Sequence, residues 1–393
     1  MKTPLKIAIY SGEIPSTTFI ERLITGLSQS GKQVLLFGVK HKLPAYSNQV
    51  TVLGYKPDRL SKFFYVFKFT VLLTLFKRHD KKRLDTYLKQ QHKTDLYTKV
   101  KYYPVLWHQP DVFHVQWAKG LDDWMWVQDF GMKLVLSLRG AHINYSPIAD
   151  ETLAVMYSNC FPKVDGFHAV SKAIGLEAEK YGANANRIHV VYSGLDLNVL
   201  KANVPKVSST ETRFKMISVG RPHWKKGYSY MLDACKQLKD SGFHFNYIIV
   251  GGSDTIEYQY HIHDLGLTDN VQLISKKRFQ DVQHLIQESD LLVLPSVEEG
   301  IANVVLEAMA SGTLVLSTDC GGMQEVIRDG ETGFLVPIRD SKSLAHKISA
   351  IANLQPAEKK HIREIALQTI TKSHTIQQMV ESMFKLYQRV LNV

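Results

Sequence analysis

Two acidic residues, Glu299 and Glu307, stand with seven residues between them in the segment LPSVEEGIANVVLEAMASG, residues 294–312. The apolar run Leu291–Leu294 ahead of them reads as a buried strand, and Pro295 and Ser296 turn the chain. A short helix is expected to open near Asn303 and to close before Gly312. Glu299 then lies in the loop, and Glu307 falls inside the helix. A loop at the C-terminal end of a strand is where open α/β sheets bind ligands. A helix start offers free N–H groups and a positive dipole end, which suits a phosphate. A carboxylate beside a phosphate site takes hydroxyl donors, so sugar hydroxyls are its natural partners. The same residues also fit an acidic surface loop ahead of an ordinary helix.

A second constellation lies upstream. FKMISV (214–219) reads as a strand, GRPHWKKG (220–227) follows it, and Tyr230, Met231, Ala234 and Leu238 mark an amphipathic helix beyond. Arg221 and Lys226 stand in a loop bounded by Gly220 and Gly227. A guanidinium fork and an ammonium point charge at a strand-to-helix junction can grip a diphosphate. Alone, this is a solvated basic turn, and the loop is expected to face the surface. Taken together, the two loops supply opposite halves of one ligand: cations for a diphosphate, carboxylates for a sugar and a ribose.

On these residues the chain resembles the retaining glycosyltransferases of the GT-B fold, in the large family 4 group. The matching segments are GRPHWKKG, PSVEEGIANVVLEAMASG, STDCGGMQEVIRDGETGFLVP (317–337), and FHAVSKAIGLEAEKYG followed by VVYSGLDLNVL (167–200). EIPSTTFIERLITGLSQSGKQVLLFG (13–38) resembles the opening of transferases that build bacterial exopolysaccharide or surface polysaccharide. The likeness covers nearly the whole chain and is strongest in its C-terminal half. It implies an α/β chain with two Rossmann-like parallel-sheet domains facing a central cleft, and transfer with retention of anomeric configuration.

The resemblance also implies roles. Arg221 and Lys226 would bind the donor diphosphate, beside Gly220. Glu307 would bind the donor ribose. Glu299 would meet hydroxyls of the transferred sugar, with the backbone of Gly300, Asn303 and Val304 nearby. Glu298 is its rival; Glu299 is preferred because it has the seven-residue spacing to Glu307 and directly precedes Gly300. Ile301 and Ala302 stand where family members often carry Phe-Pro. The donor base would lie against residues 275–279, with Ser275 where Gly is common; Lys276, Lys277 and Arg278 there read as a solvated face.

The N-terminal half would supply acceptor contacts. Gly12 follows the first expected strand and lets a backbone approach phosphate, or marks a plain turn. In LVLSLRGAHI (134–143), Arg139 holds the place of a His that many relatives carry, and His142 follows three residues on. Arginine there suits a diphosphate or an anionic acceptor. His142 is a candidate active-site residue or a surface histidine, and His114, at a strand end, is similar. No Asp-x-Asp signature stands at an expected strand end, and Asp122-Asp123 has the wrong form. With Arg221 and Lys226 to stabilise the charge that builds on the leaving diphosphate, catalysis is expected to need neither metal nor cofactor. No carboxylate nucleophile is evident, so departure and attack on one face, with a diphosphate oxygen as base, is the expectation.

These sites need two alternating strand–helix halves to position them. The 393 residues suggest two or three domains, and 45% hydrophobic with 22% charged residues is ordinary for a globular chain. Cys160, Cys235 and Cys320 show neither metal-ligand spacing nor a disulfide framework. The opening MKTPLKIAIYSGEIP reads as a first buried strand rather than a leader. Strands are expected at 6–10, 33–39, 50–53, 112–115, 133–138, 166–170 and 188–191, with helices at 18–30, 150–159 and 172–181. A polar stretch, 196–213, reads as the linker. A second alternation follows, with strands at 215–219, 246–250, 271–274, 290–294 and 314–317. The domains would be 1–198 on the acceptor side, 199–374 for the nucleotide sugar, and a C-terminal helix, 375–393, that crosses back or simply ends the second domain.

Residues 60–101 break the pattern as a helical insertion. SKFFYVFKFTVLLTLF (61–76) is apolar nearly all round and short for a membrane span, and KRHDKKRLDTYLKQQHK (77–93) is strongly basic. An interfacial helix on anionic lipid or a helix packed between domains both fit. The net charge of +11 favours an anionic surface, and no nucleic-acid module is evident. The leading expectation is a cytoplasmic transferase, peripheral at the inner face of the membrane, moving a hexose from a nucleotide sugar to a glycan or lipid-linked glycan. A nucleotide-sugar epimerase of the same fold and a catalytically silent subunit of a polysaccharide assembly complex are the alternatives.

Overall fold

The structure is a computed structural model that describes residues 5–200 and 213–392. Most of the expected linker therefore lies outside the described residues. Contacts divide the chain into two units. Unit 1 comprises Met1–Val170, Gly175–Gly194 and Ile376–Val393, and unit 2 comprises Ser171–Ile174 and Leu195–Thr375.

Unit 1 is built on β1 (Lys6–Ile14), β2 (Gln33–Lys40), β3 (Val50–Tyr55), β4 (Val112–Val115), β5 (Lys133–Leu138), β6 (Gly166–Ala169) and β7 (Ile188–Val190). All pairs are parallel, in the order β3-β2-β1-β4-β5-β6-β7. The central strands are buried on both faces, so β4 and β5 read as mainly apolar runs, interrupted within the sheet by His114 and Ser137, rather than as alternations. α1 (Thr18–Gln29) sets Ile20, Leu23, Ile24 and Leu27 on one face, the i, i+3, i+4, i+7 pattern of a helix lying on a sheet. The expected insertion is three helices, α2 (Arg59–Phe76), α3 (Arg78–Gln90) and α4 (Leu96–His108). The Asp58 and Asp95 side chains cap α2 and α4 by accepting from the Ser61 and Thr98 N–H groups. Short helices α5 (Ala141–Asn144) and α6 (Ser146–Ala149) follow β5, and then come α7 (Glu151–Cys160) and α8 (Lys172–Glu179). The first strand does not stop at Tyr10; it runs to Ile14 through a register shift at Tyr10/Gly12, so Gly12 (φ +88°) sits inside the bulged strand.

Unit 2 opens with α9 (Leu197–Leu200) and holds β8 (Phe214–Val219), α10 (Tyr228–Asp240), β9 (Phe245–Val250), α11 (Ile256–Asp264), β10 (Val271–Ile274), α12 (Phe279–Glu288), β11 (Leu291–Leu294), α13 (Asn303–Ala310), β12 (Leu314–Thr318), β13 (Phe334–Val336), α14 (Ser341–Ala352) and α15 (Pro356–Ser373). Its sheet is also parallel, in the order β10-β9-β8-β11-β12-β13. β13 escaped the sequence reading because three residues, FLV, give no period to see. Residues 171–174 group with unit 2 for a local reason: the Glu325 carboxylate accepts from the N–H groups of Lys172 (2.9 Å) and Ala173 (3.0 Å).

The chain ends in α16 (Ile376–Leu391), which packs in unit 1 against α1 and β6. Met379, Val380, Met383, Leu386, Tyr387 and Val390 form its buried stripe. In each sheet the strand order reverses beside the first strand, between β1 and β4 and between β8 and β11, and open α/β sheets bind ligands at such switch points.

Candidate functional site

The two loops singled out in the sequence leave unit 2 at its switch point, because β8 and β11 are neighbours. The first, 220–227, ends in a 3-10 turn over Trp224–Lys226. The second runs from Pro295 to Ala302, where α13 begins. Backbone ties lock them together. The Val297 N–H donates to the Lys225 carbonyl at 2.6 Å. Gly227 has φ +64°, and a Cβ there would run into the carbonyl oxygen of Pro295. Behind them, Gly321 (φ +54°) leaves no room for a Cβ against the Glu299 carbonyl, and the Gly322 N–H donates to Gly300 O at 2.7 Å. Only glycine combines positive φ with this closeness.

This packing brings Lys226 and Glu299 into direct contact. The ammonium lies 2.6 Å from Glu299 Oε1, and Lys225 Nζ lies 3.9 Å from Oε2. The Ser296 hydroxyl donates to Oε1 at 3.1 Å. Glu299 is 8% exposed. Burial pushes its pKa up, but the Lys226 and Lys225 charges and the two hydrogen bonds outweigh burial, so it lies below the ordinary 4.5. The expectation that this loop faces the surface is therefore corrected at Lys226: its side chain is only 17% exposed and spans inward to a carboxylate. Arg221, by contrast, is exposed at the end of β8, and its charge helps hold His223 below the ordinary histidine value, behind burial and Lys225.

The other expected donor-side residues distribute around this pair. Glu298 is half-buried, and its Oε1 borders Gly321. Gly220 lies under the Tyr228 hydroxyl, which donates to its carbonyl at 3.3 Å. Glu307 is buried within α13 and accepts from Gln283 Nε2 of α12 at 3.2 Å. Asn303 opens the helix with Oδ1 buried and without a hydrogen-bond partner, and Val304 is half-buried beside it. Ser275 is exposed just past β10, where the Gly251 N–H meets Ile274 O at 2.8 Å. The sequence reading missed Lys225, Ser296 and Gln283. The Lys225-Lys226 doublet was visible, but only folding shows that both charges reach one carboxylate. Gln283 carried no signal, since its relation to Glu307 is purely tertiary.

In unit 1, Arg139 and His142 leave the end of β5. Arg139 Nη2 donates to Gln116 Oε1 at 3.0 Å, and the guanidinium lies 4.4 Å above the Phe19 ring. Burial pushes its pKa down to about 9, which leaves it charged at neutral pH. Burial, aided by Lys119, pushes His142 down to about 4, so it is neutral there. His114 is corrected: it is wholly buried and structural. His168 Nε2 lies 3.0 Å from the Val191 carbonyl, which can only accept. That orders the chain: Tyr387 O–H donates to His114 Nδ1 (2.8 Å), His114 Nε2–H to Ser137 Oγ (2.9 Å), and Ser137 O–H to His168 Nδ1 (2.8 Å). Every link is satisfied with both rings neutral, and burial holds both pKa values well down.

Residues 201–368 match the family described as Glycosyl transferases group 1. This segment carries such a domain, on a chain of the GT-B fold with two Rossmann-like parallel-sheet units. The chain is 31% identical over 209 residues to the putative colanic acid biosynthesis glycosyltransferase WcaL of Escherichia coli (strain K12), covering 51% of each chain. It is 27% identical over 184 residues to the N,N'-diacetylbacillosaminyl-diphospho-undecaprenol alpha-1,3-N-acetylgalactosaminyltransferase of Campylobacter jejuni, covering 45% of each. The chain thus spans about half the length of the curated relatives it matches. In structure it is similar to a glycosyltransferase from Rickettsia africae, with TM-score 0.73 and 16% identity over 99% of both chains.

Proposed function

We propose that this chain is a retaining, metal-independent glycosyltransferase of family 4 that moves a sugar from a nucleotide-sugar donor to a glycan or lipid-linked glycan in cell-surface polysaccharide biosynthesis. The observation that carries the reading is the clustering of Lys225, Lys226 and Glu299 at the switch point of unit 2, with Glu307 on the helix that follows. Arg221 and the two lysines supply positive charge where a departing diphosphate becomes more negative. The α13 N-terminus adds N–H groups for sugar or phosphate. Glu307 takes the ribose hydroxyls. Glu299, already engaged by Lys226 and Ser296, suits the holding of a sugar hydroxyl rather than attack on carbon. The incoming acceptor then attacks from the face the diphosphate leaves, with a diphosphate oxygen taking its proton.

The proposal places the protein in the cytoplasm, at the inner face of the membrane. Leu60, Phe63, Phe64, Phe67, Val71 and Leu75 recur at helical spacing along one side of α2 and are exposed, while Val66, Phe69 and Leu73 pack inward within unit 1. Lys68 lies exposed among them. An apolar stripe with cations at its edge suits the headgroup boundary of an anionic bilayer. Among the described residues, no helix is long and apolar enough to cross a membrane.

A thermal-shift screen of nucleoside diphosphates and nucleotide sugars, run in excess chelator, tests the reading. At least one nucleoside diphosphate should raise the melting temperature, and its sugar conjugate should then glycosylate an acceptor with the donor's anomeric configuration kept. No shift with any of them removes the donor-site assignment. Binding that appears only with magnesium removes the metal-independent mechanism.

A further inference from the structure

The switch point of unit 1 holds its own cluster of unmet hydrogen-bonding groups. Gln116 follows β4, Arg139 follows β5, and the amide oxygen of the first accepts from the guanidinium of the second at 3.0 Å. Phe19, in the first turn of α1, lies under that guanidinium and meets Trp117 edge-on, with ring centroids 6.0 Å apart. Trp117 in turn lies 5.3 Å from the His142 ring, and its indole N–H donates to Ser11 O beside Gly12 at 3.1 Å. The ends of β4 and β5, the bulge of β1 and the start of α1 therefore converge on one corner.

Three polar atoms in that corner are buried and have no hydrogen-bond partner: Gln116 Nε2, Arg139 Nε and His142 Nδ1. Gln116 is fully buried. Buried polar groups are almost always paired, and unpaired ones gathered in one corner mark the place of a missing partner. Two of the three are N–H donors, and one belongs to a cation. Phe19, Trp117, Arg139 and His142 are each only half-buried, so the corner is reachable.

We propose that this corner is a subsite for a sugar that carries a carboxylate, a uronic acid unit of the acceptor. The inference rests on the reading of the chain as a glycosyltransferase and names the substrate class of its unit 1 side. A guanidinium and an adjacent amide N–H match the two oxygens of a planar carboxylate. The single guanidinium balances one negative charge, whereas a phosphate would call for more; Lys119 bears on His142 beside it. The Phe19 and Trp117 rings offer the apolar walls that the C–H face of a sugar ring needs and an inorganic anion does not. Neutral His142 can serve a sugar hydroxyl as donor or acceptor.

The test compares methyl glucuronide, methyl glucoside and inorganic phosphate as ligands of the full chain, by ligand-observed NMR titration. Methyl glucuronide should bind at least ten-fold more tightly than methyl glucoside, and Arg139→Gln should abolish the difference. Equal binding of the two glycosides, a preference that survives Arg139→Gln, or phosphate binding more tightly than the glucuronide at the same site overturns the proposal. Should Arg139→Gln not fold, Arg139→Lys carries the test, because it keeps the charge but loses the fork and should still lower the preference at least five-fold. The nucleoside diphosphate screen reports on unit 2 independently. If any nucleoside diphosphate binds and no uronate preference appears, this inference fails alone; if none binds, the donor-site reading has failed.

Discussion

Removing the Lys226 ammonium should cost unit 2 stability as well as activity. In Lys226→Met the Glu299 carboxylate stays buried and loses its partner at 2.6 Å. Breaking one side of a buried pair costs roughly 3–5 kcal/mol. Lys225 at 3.9 Å and the Ser296 hydroxyl remain, which places the loss near the lower end, about 3 kcal/mol. For a unit of this size that is a fall in melting temperature of about 6–12 °C. Glu299→Gln should cost less, about 1–2 kcal/mol, because the lysine left behind can turn its head toward water. The double variant should therefore be more stable than the sum of the singles implies, with a coupling of about 2 kcal/mol. The sign with pH follows from the carboxylate. Its folded pKa lies below its ordinary 4.5, so the stabilisation is present above that value and disappears as pH falls through the folded value. The gap between wild type and Lys226→Met should then close in acid. Differential scanning calorimetry of the ligand-free full chain reads all of this. A Lys226→Met variant melting within about 2 °C of wild type, or strict additivity in the double variant, refutes the argument.

Glu299→Gln should lower turnover more than Glu298→Gln, and Glu307→Ala should chiefly weaken binding of the free nucleoside diphosphate in calorimetry; a more damaging Glu298 would mean that the wrong carboxylate was assigned to the sugar. His114 and His168 are buried neutral with depressed pKa values, so protons favour the unfolded chain below its ordinary histidine pKa of 6.5. As pH falls below 6.5 the pair should therefore steepen the loss of stability of unit 1, and urea titrations between pH 6.5 and 4.5 that show no steeper loss in wild type than in His168→Gln would contradict the buried neutral pair. Vesicles containing anionic lipid should sediment the protein in a salt-sensitive way, and Phe63→Ser, Phe64→Ser and Phe67→Ser together should abolish this without lowering the melting temperature, since all three are exposed. Neutralising the basic run is the weaker test, because Lys77 is bonded to Gln109, Lys81 to Asp85, and Arg83 to the Asp129 carbonyl.

The sequence by itself determined the elements that local rules govern. Apolar runs bounded by turn residues located twelve of the strands, since a parallel sheet buried on both faces needs such runs and little else. Arg221, Lys226 and Glu299 were legible because each lies in a loop that leaves a strand end, where chain order alone places it at one end of the sheet, and Glu307 because the helix that carries it follows the second of those loops at once. Tertiary structure decided what those side chains meet. Lys226 and Glu299 are 73 positions apart, and only the adjacency of β8 and β11 turns a solvated basic turn and an acidic loop into a buried ion pair. His114 looked like a site residue at a strand end, yet Tyr387, 273 positions on, seals it into the core. Arg139 was visible as a departure from the expected histidine, but its aromatic floor and unpaired Nε come from α1 and β4. Periodicity along the chain records which face of an element is buried; it carries nothing about which element from elsewhere in the chain arrives to cover it.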